Sequence, residues 1–334
     1  MNLEERINAF SRLGRFLKQN SNLEFTQKIK DAEVQNPWFT LENQKQAINA
    51  WANHLTAKNL KAWLIPYHLK ENKSSLQVLI IMAGNIPLVG FHDLLSVLIT
   101  GNNVIVKMSV EDNIILPFIV KKLIVINPEF ENRIQFVEDI KDKKINAVIA
   151  TGSDNSSKYF NYYFKDVKKI IRKNRKSLAI LDGTENQNDL NELAKDIFSY
   201  FGLGCRNISK LFLPKGYDLN KLFETFFSFE KIIESKKYAN NYDYHKAIFL
   251  MGNHKITDNG FLLLKEDTSL QSPLAMLYYE FYSEMEEVDN FISDNKEKIQ
   301  SVVSKKHIAF GQSQNPNLWD YADGVDTIEF LTTN

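Results

Sequence analysis

Residues 76–109 read LQVLIIMAGNIPLVGFHDLLSVLITGNNVIVKMS. Leu76 to Met82 form a near-continuous apolar run, which a strand buried on both faces requires. The run breaks at Gly84, Asn85 and Pro87, and an apolar stretch at helical spacing, read as a helix begun by Pro87, carries the chain to Gly101. A second strand-like run, NNVIVKMS, follows at once. Parallel strands need a crossover between them, and a helix is the usual one. The alternation continues outward. DNIILPFIVKKLIVI reads as helix, RIQFVED and INAVIATGS as strands, SSKYFNYYFKDV as helix and KSLAILDG as strand. This pattern predicts the α/β class, with a doubly wound parallel sheet.

Upstream, residues 1–59 carry apolar positions at helical spacing in LEERINAFSRLGRFLKQ and WFTLENQKQAINAWANHL. Asn36-Pro37 marks a helix start between them, LKAWLIPYHL reads as a short extended piece and ENKSS as a turn. Downstream, a second α/β unit is expected. DLNELAKDIFSYFGLG and DLNKLFETFFSFEKI read as helices around the strand SKLFLPKG. KAIFLMGNHKITDNGFLLLKE reads as a hairpin-like pair, PLAMLYYEFYS as extended and EEVDNFISDNKEKIQSVVSK as a helix. The tail reads as a loop that ends in a strand, DTIEFL. The expected division is a nucleotide-binding domain with N-terminal helices over 1–183, a catalytic domain over 184–308 and a C-terminal segment over 309–334.

Composition narrows the function classes. A chain of 334 residues is long for one core. At 44% hydrophobic and 25% charged it has no room for extended disorder. Lys+Arg and Asp+Glu both number 41, so no net field draws the molecule to nucleic acid. The single cysteine excludes an internal disulfide framework and a multi-cysteine metal site, and fits a reducing cytoplasm. The six histidines show no metal-ligand spacing. MNLEERINAF holds no secretory apolar run, and Asn85 and Pro87 interrupt the longest apolar region before it could span a bilayer. A cytoplasmic protein without an integral membrane segment is expected.

Four places carry candidate chemistry. Cys205 follows Gly202 and Gly204 between a helix and a strand, where a sharp turn can aim a side chain into a cleft. The plainer reading is a small core residue on a turn. Asn85 stands at the carboxyl end of a buried strand, where open α/β sheets keep their ligands, although Asn is also a common helix cap. Lys107 ends the next strand; a lysine there could equally be solvated. Thr151, Gly152 and Ser153 form a turn after a strand, and backbone amides on such turns bind phosphate. The turn lacks the full dinucleotide glycine fingerprint.

In this order, these places resemble the aldehyde dehydrogenase superfamily over most of the chain. MAGNIP is similar to the family's turn that carries the oxyanion-hole asparagine, which puts Asn85 in that role. TGNNVIVKMS is similar to the segment of the cofactor-ribose lysine, at Lys107, and Thr151, Gly152 and Ser153 match the Thr-Gly-Ser cofactor turn. Cys205 matches the catalytic cysteine. More narrowly, AGNIPLVGFHDLLSVLITGN, IRKNRKSLAIL and FGLGCRNISKLFLP resemble the acyl-CoA reductase branch, which includes the LuxC-type fatty acyl reductase of bacterial luminescence. The resemblance implies a second α/β catalytic domain, a homodimer formed through the tail strand, and reduction of a long-chain acyl-CoA to aldehyde through a thioester on the cysteine.

The departures matter as much. Hydrolytic aldehyde dehydrogenases activate water with a glutamate, and the corresponding KNRKSLAIL has no acid. That favours thioester exchange with a thiol over hydrolysis. The family's ribose glutamate three residues past the lysine is Val110 here, which removes a repulsion against a 2′-phosphate and suits NADPH, with NADH as the alternative. The second family glutamate, four residues before a proline, is Ser269. Competing readings are an NAD(P)-dependent aldehyde dehydrogenase working oxidatively and a non-catalytic acyl or nucleotide binder. The segment 165–176 holds many lysines and arginines; it reads as a solvated junction or, through Lys173, Arg175 and Lys176, as a contact for substrate phosphates. Arg206 could lower the Cys205 pKa or point to solvent, and His92 reads as a satisfied helix residue. YFNYYF and FETFFSF read as core before acyl tunnel. No metal is expected.

Overall fold

The computed structural model describes residues 1–19, 22–69, 75–141 and 143–333. The chain forms two compact units, residues 1–174 with 317–334, and residues 175–316. No helix among the described residues is long and apolar enough to cross a membrane.

The first unit opens with helices α1 (Leu3–Gln19), α2 (Leu23–Gln35), α3 (Leu41–His54) and α4 (Ala57–Leu64). Thr40 and Thr56 cap α3 and α4 by accepting the Asn43 and Asn59 amides, so LKAWL is helical where an extended piece was expected. The turn expected at 71–75 lies largely outside the described residues. Then come β1 (Gln77–Ile81), α5 (Phe91–Ile99), β2 (Asn103–Lys107), α6 (Ile115–Ile126), β3 (Ile134–Phe136), β4 (Ala147–Thr151), α7 (Asp154–Tyr163) and β5 (Lys168–Arg172). The sheet order is β3-β2-β1-β4-β5, and every pairing is parallel.

The pleat sorts each strand to two cores. Val78, Ile80, Val104, Val106, Ala147 and Ile149 join the helical core that holds Phe10, Leu13, Leu94, Leu98 and Ile119. Leu79, Ile105, Val148 and Ala150 meet Phe164 on the opposite face. Burial on both faces explains the uninterrupted apolar runs.

The C-terminal segment returns to this unit. Thr327–Thr332 is a helix, not the strand expected from DTIEFL. Asp326 caps it by accepting the Glu329 amide at 2.8 Å, and Ile328 and Leu331, three residues apart, bury on one helical face. Arg172 ties it down through the Thr327 hydroxyl (3.1 Å) and a buried ion pair with Asp93 (2.5 Å). Dimerisation through a tail strand therefore has no strand to use.

The second unit contains β6 (Lys176–Ile180), α8 (Gln187–Phe198), β7 (Ile208–Pro214), α9 (Asn220–Phe226), α10 (Lys236–Met251), β8 (Thr257–Asp258), β9 (Leu263–Glu266), β10 (Met276–Tyr282), α11 (Met285–Asp294) and β11 (Ile299–Val303). Its sheet runs β11-β6-β7-β10-β9-β8, parallel except for the β8–β9 edge. Because β6 pairs with β7 and β11, the division falls at 174/175 and not at the expected 183/184. Two further readings are corrected. KAIFLM completes α10 before the short hairpin begins, and IQSVV leaves α11 to become an edge strand.

Candidate active site

The second unit builds the cysteine turn from the end of α8. Asn186 and Asp189 form a reciprocal capping box at its start. At its end the backbone turns left-handed through Tyr200 (φ 52°), Phe201 (φ 58°) and Gly202 (φ 78°). Only the glycine adopts that conformation without strain, so the surrounding structure must hold the other two. Asn207, 2% exposed, supplies much of that hold. Its Nδ2 donates to the carbonyls of Asp196 (3.0 Å), Ile197 (3.3 Å) and Ser199 (2.8 Å). Its Oδ1 accepts from the Gly204 amide at 2.8 Å. One amide side chain thus satisfies the last carbonyls of α8 and fixes the residue before Cys205.

Cys205 is half-exposed. Its carbonyl accepts from Ser177 Oγ at 3.0 Å, and Ser301 Oγ lies 2.7 Å from Ser177 Oγ. A cavity of about 170 Å³ adjoins the turn, lined by Lys176, Phe198, Gly202, Leu203, Tyr238 and Leu274 among others. Among the described residues no carboxylate lines it. Lys176 is half-buried; burial pushes its ammonium below the ordinary lysine pKa, and the nearby Cys205 pushes it back up. Arg175 is engaged differently, with Nη1 donating to the Ile299 carbonyl at 3.3 Å and Nη2 3.7 Å from Glu297.

The far wall of the cavity is the loop after β9. Lys210, 0% exposed, holds it, with Nζ donating to the Asp267 carbonyl (2.8 Å) and to Glu280 (2.7 Å). Ser209 donates to the Leu270 carbonyl at 2.9 Å and Ser272 to the Met276 carbonyl at 2.7 Å. Asn207 and Lys210 were not singled out from the sequence. A lone lysine inside the apolar run ISKLFLP was the available signal for Lys210, since a buried ammonium demands partners.

The first unit gathers the other candidates on one sheet edge. Register pairs Ile81 with Lys107, and β1 lies between β2 and β4. Asn85 (after β1), Lys107 (ending β2) and Thr151 (ending β4) therefore sit at the carboxyl ends of three adjacent strands. The chain reverses its order between β1 and β4, the switch point at which such sheets bind ligands. Gly152 donates to the Arg172 carbonyl at 3.3 Å, and a Cβ on it would lie 2.8 Å from that of Ser156. Ser153 caps α7, its hydroxyl accepting the Ser156 amide at 3.3 Å. Asn85 is exposed, and a turn over 87–90 separates it from α5, so Pro87 does not begin the helix. His92 Nε2 lies 2.9 Å from the Leu318 carbonyl among Trp51, Trp63 and Tyr321, which makes it a structural residue. No metal-ligating cluster occurs among the described residues.

Asp112 braces the Asn85 turn. Its Oδ2 accepts the amide of Leu88, a left-handed residue at φ 58°, at 2.9 Å. Burial raises the Asp112 pKa to about 7, and the Leu88 amide opposes the rise. The folded state then holds a proton that the unfolded state, with the ordinary value of 3.8, releases. Stability from this group falls as pH rises from about 4 to about 7. Asp112→Asn removes the titration and keeps the acceptor. Its stability advantage over wild type is expected to grow by about 2–3 kcal/mol between pH 5 and pH 8 in denaturant unfolding. A constant difference across that range would refute the assignment.

The acyl-CoA reductase (LuxC) family model matches residues 70–226, a span that holds Asn85, Lys107, Thr151, Lys176 and Cys205. No curated protein matches the sequence. Among solved structures, a mutant indole-3-acetaldehyde dehydrogenase of P. syringae in complex with NAD+ and IAA is 13% identical, over 91% of this chain and 72% of that one, with TM-score 0.69. Aldehyde dehydrogenase 21 of Physcomitrella patens, with its product succinate, is 12% identical over 91% and 74%, with TM-score 0.68. A mutant aldehyde dehydrogenase C of Pseudomonas syringae, complexed with NAD+ and octanal, is 10% identical over 91% and 72%, with TM-score 0.67. At such identities the likeness is one of fold. The acyl-CoA reductase (LuxC) match over residues 70–226 and the aldehyde dehydrogenase fold of the solved structures agree with the resemblance read from the sequence, that of a LuxC-type acyl-CoA reductase within the aldehyde dehydrogenase superfamily.

Proposed function

We propose that the protein reduces a long-chain acyl-CoA to the aldehyde with NADPH, through a thioester on Cys205. The observation that carries this reading is the half-exposed Cys205 on a strained, Asn207-anchored turn whose preceding residues Phe201, Gly202 and Leu203 line a cavity with no carboxylate among the described residues. A thiolate is both a good nucleophile and a good leaving group, and both properties are needed here. Without an acid to activate water, a thioester on this sulfur persists long enough to be reduced.

Cys205 Sγ attacks the acyl carbon and forms the new C–S bond. The Cys205 amide is assigned to the oxyanion that develops, and the family resemblance assigns the Asn85 side chain to it as the second donor. Its collapse breaks the bond to CoA, which leaves as a thiolate. When bound, NADPH supplies the hydride that the acyl carbon takes up. Cys205 then departs as thiolate while the aldehyde forms, and the sulfur is restored.

The carboxyl edge of the first sheet fits a nicotinamide dinucleotide. Lys107 and the Thr151-Gly152-Ser153 turn stand at the strand-order reversal, and Ser153 opens a helix whose positive end favours phosphate. Val110, 75% exposed, leaves that position without a carboxylate against a 2′-phosphate. The NAD+ named with the neighbouring structures supports a nicotinamide coenzyme. Arg175 and Lys176 are the basic candidates for the phosphates of CoA. A cytoplasmic homodimer is the assembly that the family resemblance implies, and light scattering measures it.

The test supplies aldehyde and NADP+ with and without CoA. CoA-dependent thioester formation is expected, with NADPH preferred over NADH in the forward direction. Free acid formed without CoA would instead favour the oxidative dehydrogenase. Asn85→Ala is expected to lower kcat about a hundredfold with little change in KM, as loss of one oxyanion donor does. An unchanged kcat would remove Asn85 from the site.

A further inference from the structure

Lys176 stands out once its partners are counted. It begins β6, and its amide donates to the Lys298 carbonyl at 3.0 Å. Its side chain is half-buried and lines the cavity with Gly202 and Leu203. Other enclosed cations of this unit have carboxylates: Lys210 pairs with Glu280, and Lys265 with Asp267. Among the described residues no carboxylate pairs with Lys176. An ammonium drawn out of water without an anion is costly. The charge-bearing group that acts on it is Cys205. The next residue, Ser177, fixes the relation by donating to the Cys205 carbonyl at 3.0 Å, so β6 and the cysteine turn are held together.

We propose that Lys176 is the counter-charge that keeps Cys205 as a thiolate, in place of the general base that the cavity lacks. The inference rests on the reading of Cys205 as the acyl acceptor. Lys176 stays protonated throughout, so no proton moves. The negative charge on Sγ passes to CoA when the C–S bond to Cys205 forms and the bond to CoA breaks. It returns to Sγ when the aldehyde departs, and the ammonium then meets it again. Apart from Arg206, the groups around the turn do not duplicate this role. Asp196 on α8 is taken up by the Gly311 and Ser313 amides (2.7 and 3.0 Å), Tyr238 on α10 is a buried phenol, and Ser301 on β11 is neutral. Arg206 is the second cation, on the turn of Cys205 itself.

The test is the pH profile of Cys205 alkylation by iodoacetamide in the full-length protein, which needs neither CoA nor coenzyme. In wild type the midpoint is expected at least one unit below the 8.5 of a free thiol. Lys176→Met is expected to slow alkylation at pH 7 about tenfold by moving the midpoint up about one unit, and Lys176→Arg to restore it. Arg206→Met is expected to shift it less. A wild-type midpoint at or above 8.5 overturns the proposal even if Lys176→Met fails to fold. So does a Lys176→Met profile identical to wild type with a raised KM for acyl-CoA, which would assign Lys176 to substrate phosphates. Whether Cys205 accepts an acyl group is read separately by mass, so failure of that reading is distinguishable from failure of this one.

Discussion

Cys205→Ala is expected to lose acyl-CoA reduction by at least about 10⁴-fold, because without the sulfur there is no acyl carrier and only binding and the oxyanion donors remain. The loss should fall on kcat. The fold should survive, since Cys205 is half-exposed and alanine keeps the backbone carbonyl that accepts from Ser177 Oγ. An unfolding midpoint close to wild type would show this. Cys205→Ser is expected to remain far below wild type, since a hydroxyl is a poor nucleophile without a base and a poor leaving group. The non-catalytic binder reading makes the opposite prediction, with no measurable change in either variant. Reduction at wild-type rate by Cys205→Ala would end the account.

Asn207→Ala is the second large effect, and it acts through structure. The substitution strips three buried or part-buried carbonyls at the end of α8 and the Gly204 amide of their partner at once. Each orphaned group carries a cost of about 1–3 kcal/mol, softened where water can enter. A loss of about 3–5 kcal/mol in denaturant unfolding is expected. The left-handed run at Tyr200 and Phe201 should relax with it, because its conformation is held from outside. Activity measured under conditions where the variant is folded should therefore fall more than tenfold. Asn207→Asp should be no rescue, since a carboxylate would face carbonyl oxygens. Unchanged stability in Asn207→Ala would show that the turn is anchored elsewhere.

The parts legible in the sequence were those with strong periodicity. Val78 to Ile80, Val104 to Val106 and Ala147 to Ala150 announce strands buried on both faces, and their alternation with helices announces a parallel sheet, whose strand order only the structure supplies. The tail was misread because DTIEFL is rich in β-favouring side chains, whereas the Asp326 cap and the burial of Ile328 and Leu331 against the first unit make it a helix. Residues 57–64 went the same way, through the Thr56 cap. The boundary was misplaced because β6 is continuous in sequence with the first unit and shows its sheet only through long-range pairing with β7 and β11. At the candidate site, residue type and local context single out Cys205, Asn85 and Lys107 as the residues on which the proposal rests. Long-range partners were invisible: the bond of Asn207 to a helix end ten residues upstream, the grip of Lys210 on a loop near Asp267, and the lack of a carboxylate beside Lys176 among the described residues.

The central claim is that one sulfur carries the acyl group. Intact mass after incubation with a long-chain acyl-CoA, without coenzyme, tests it in wild type and Cys205→Ala. A single acyl adduct in wild type, absent from the variant and discharged on adding NADPH, is the predicted result. An adduct of equal size on the variant, or none on wild type while aldehyde is still produced, would contradict the account.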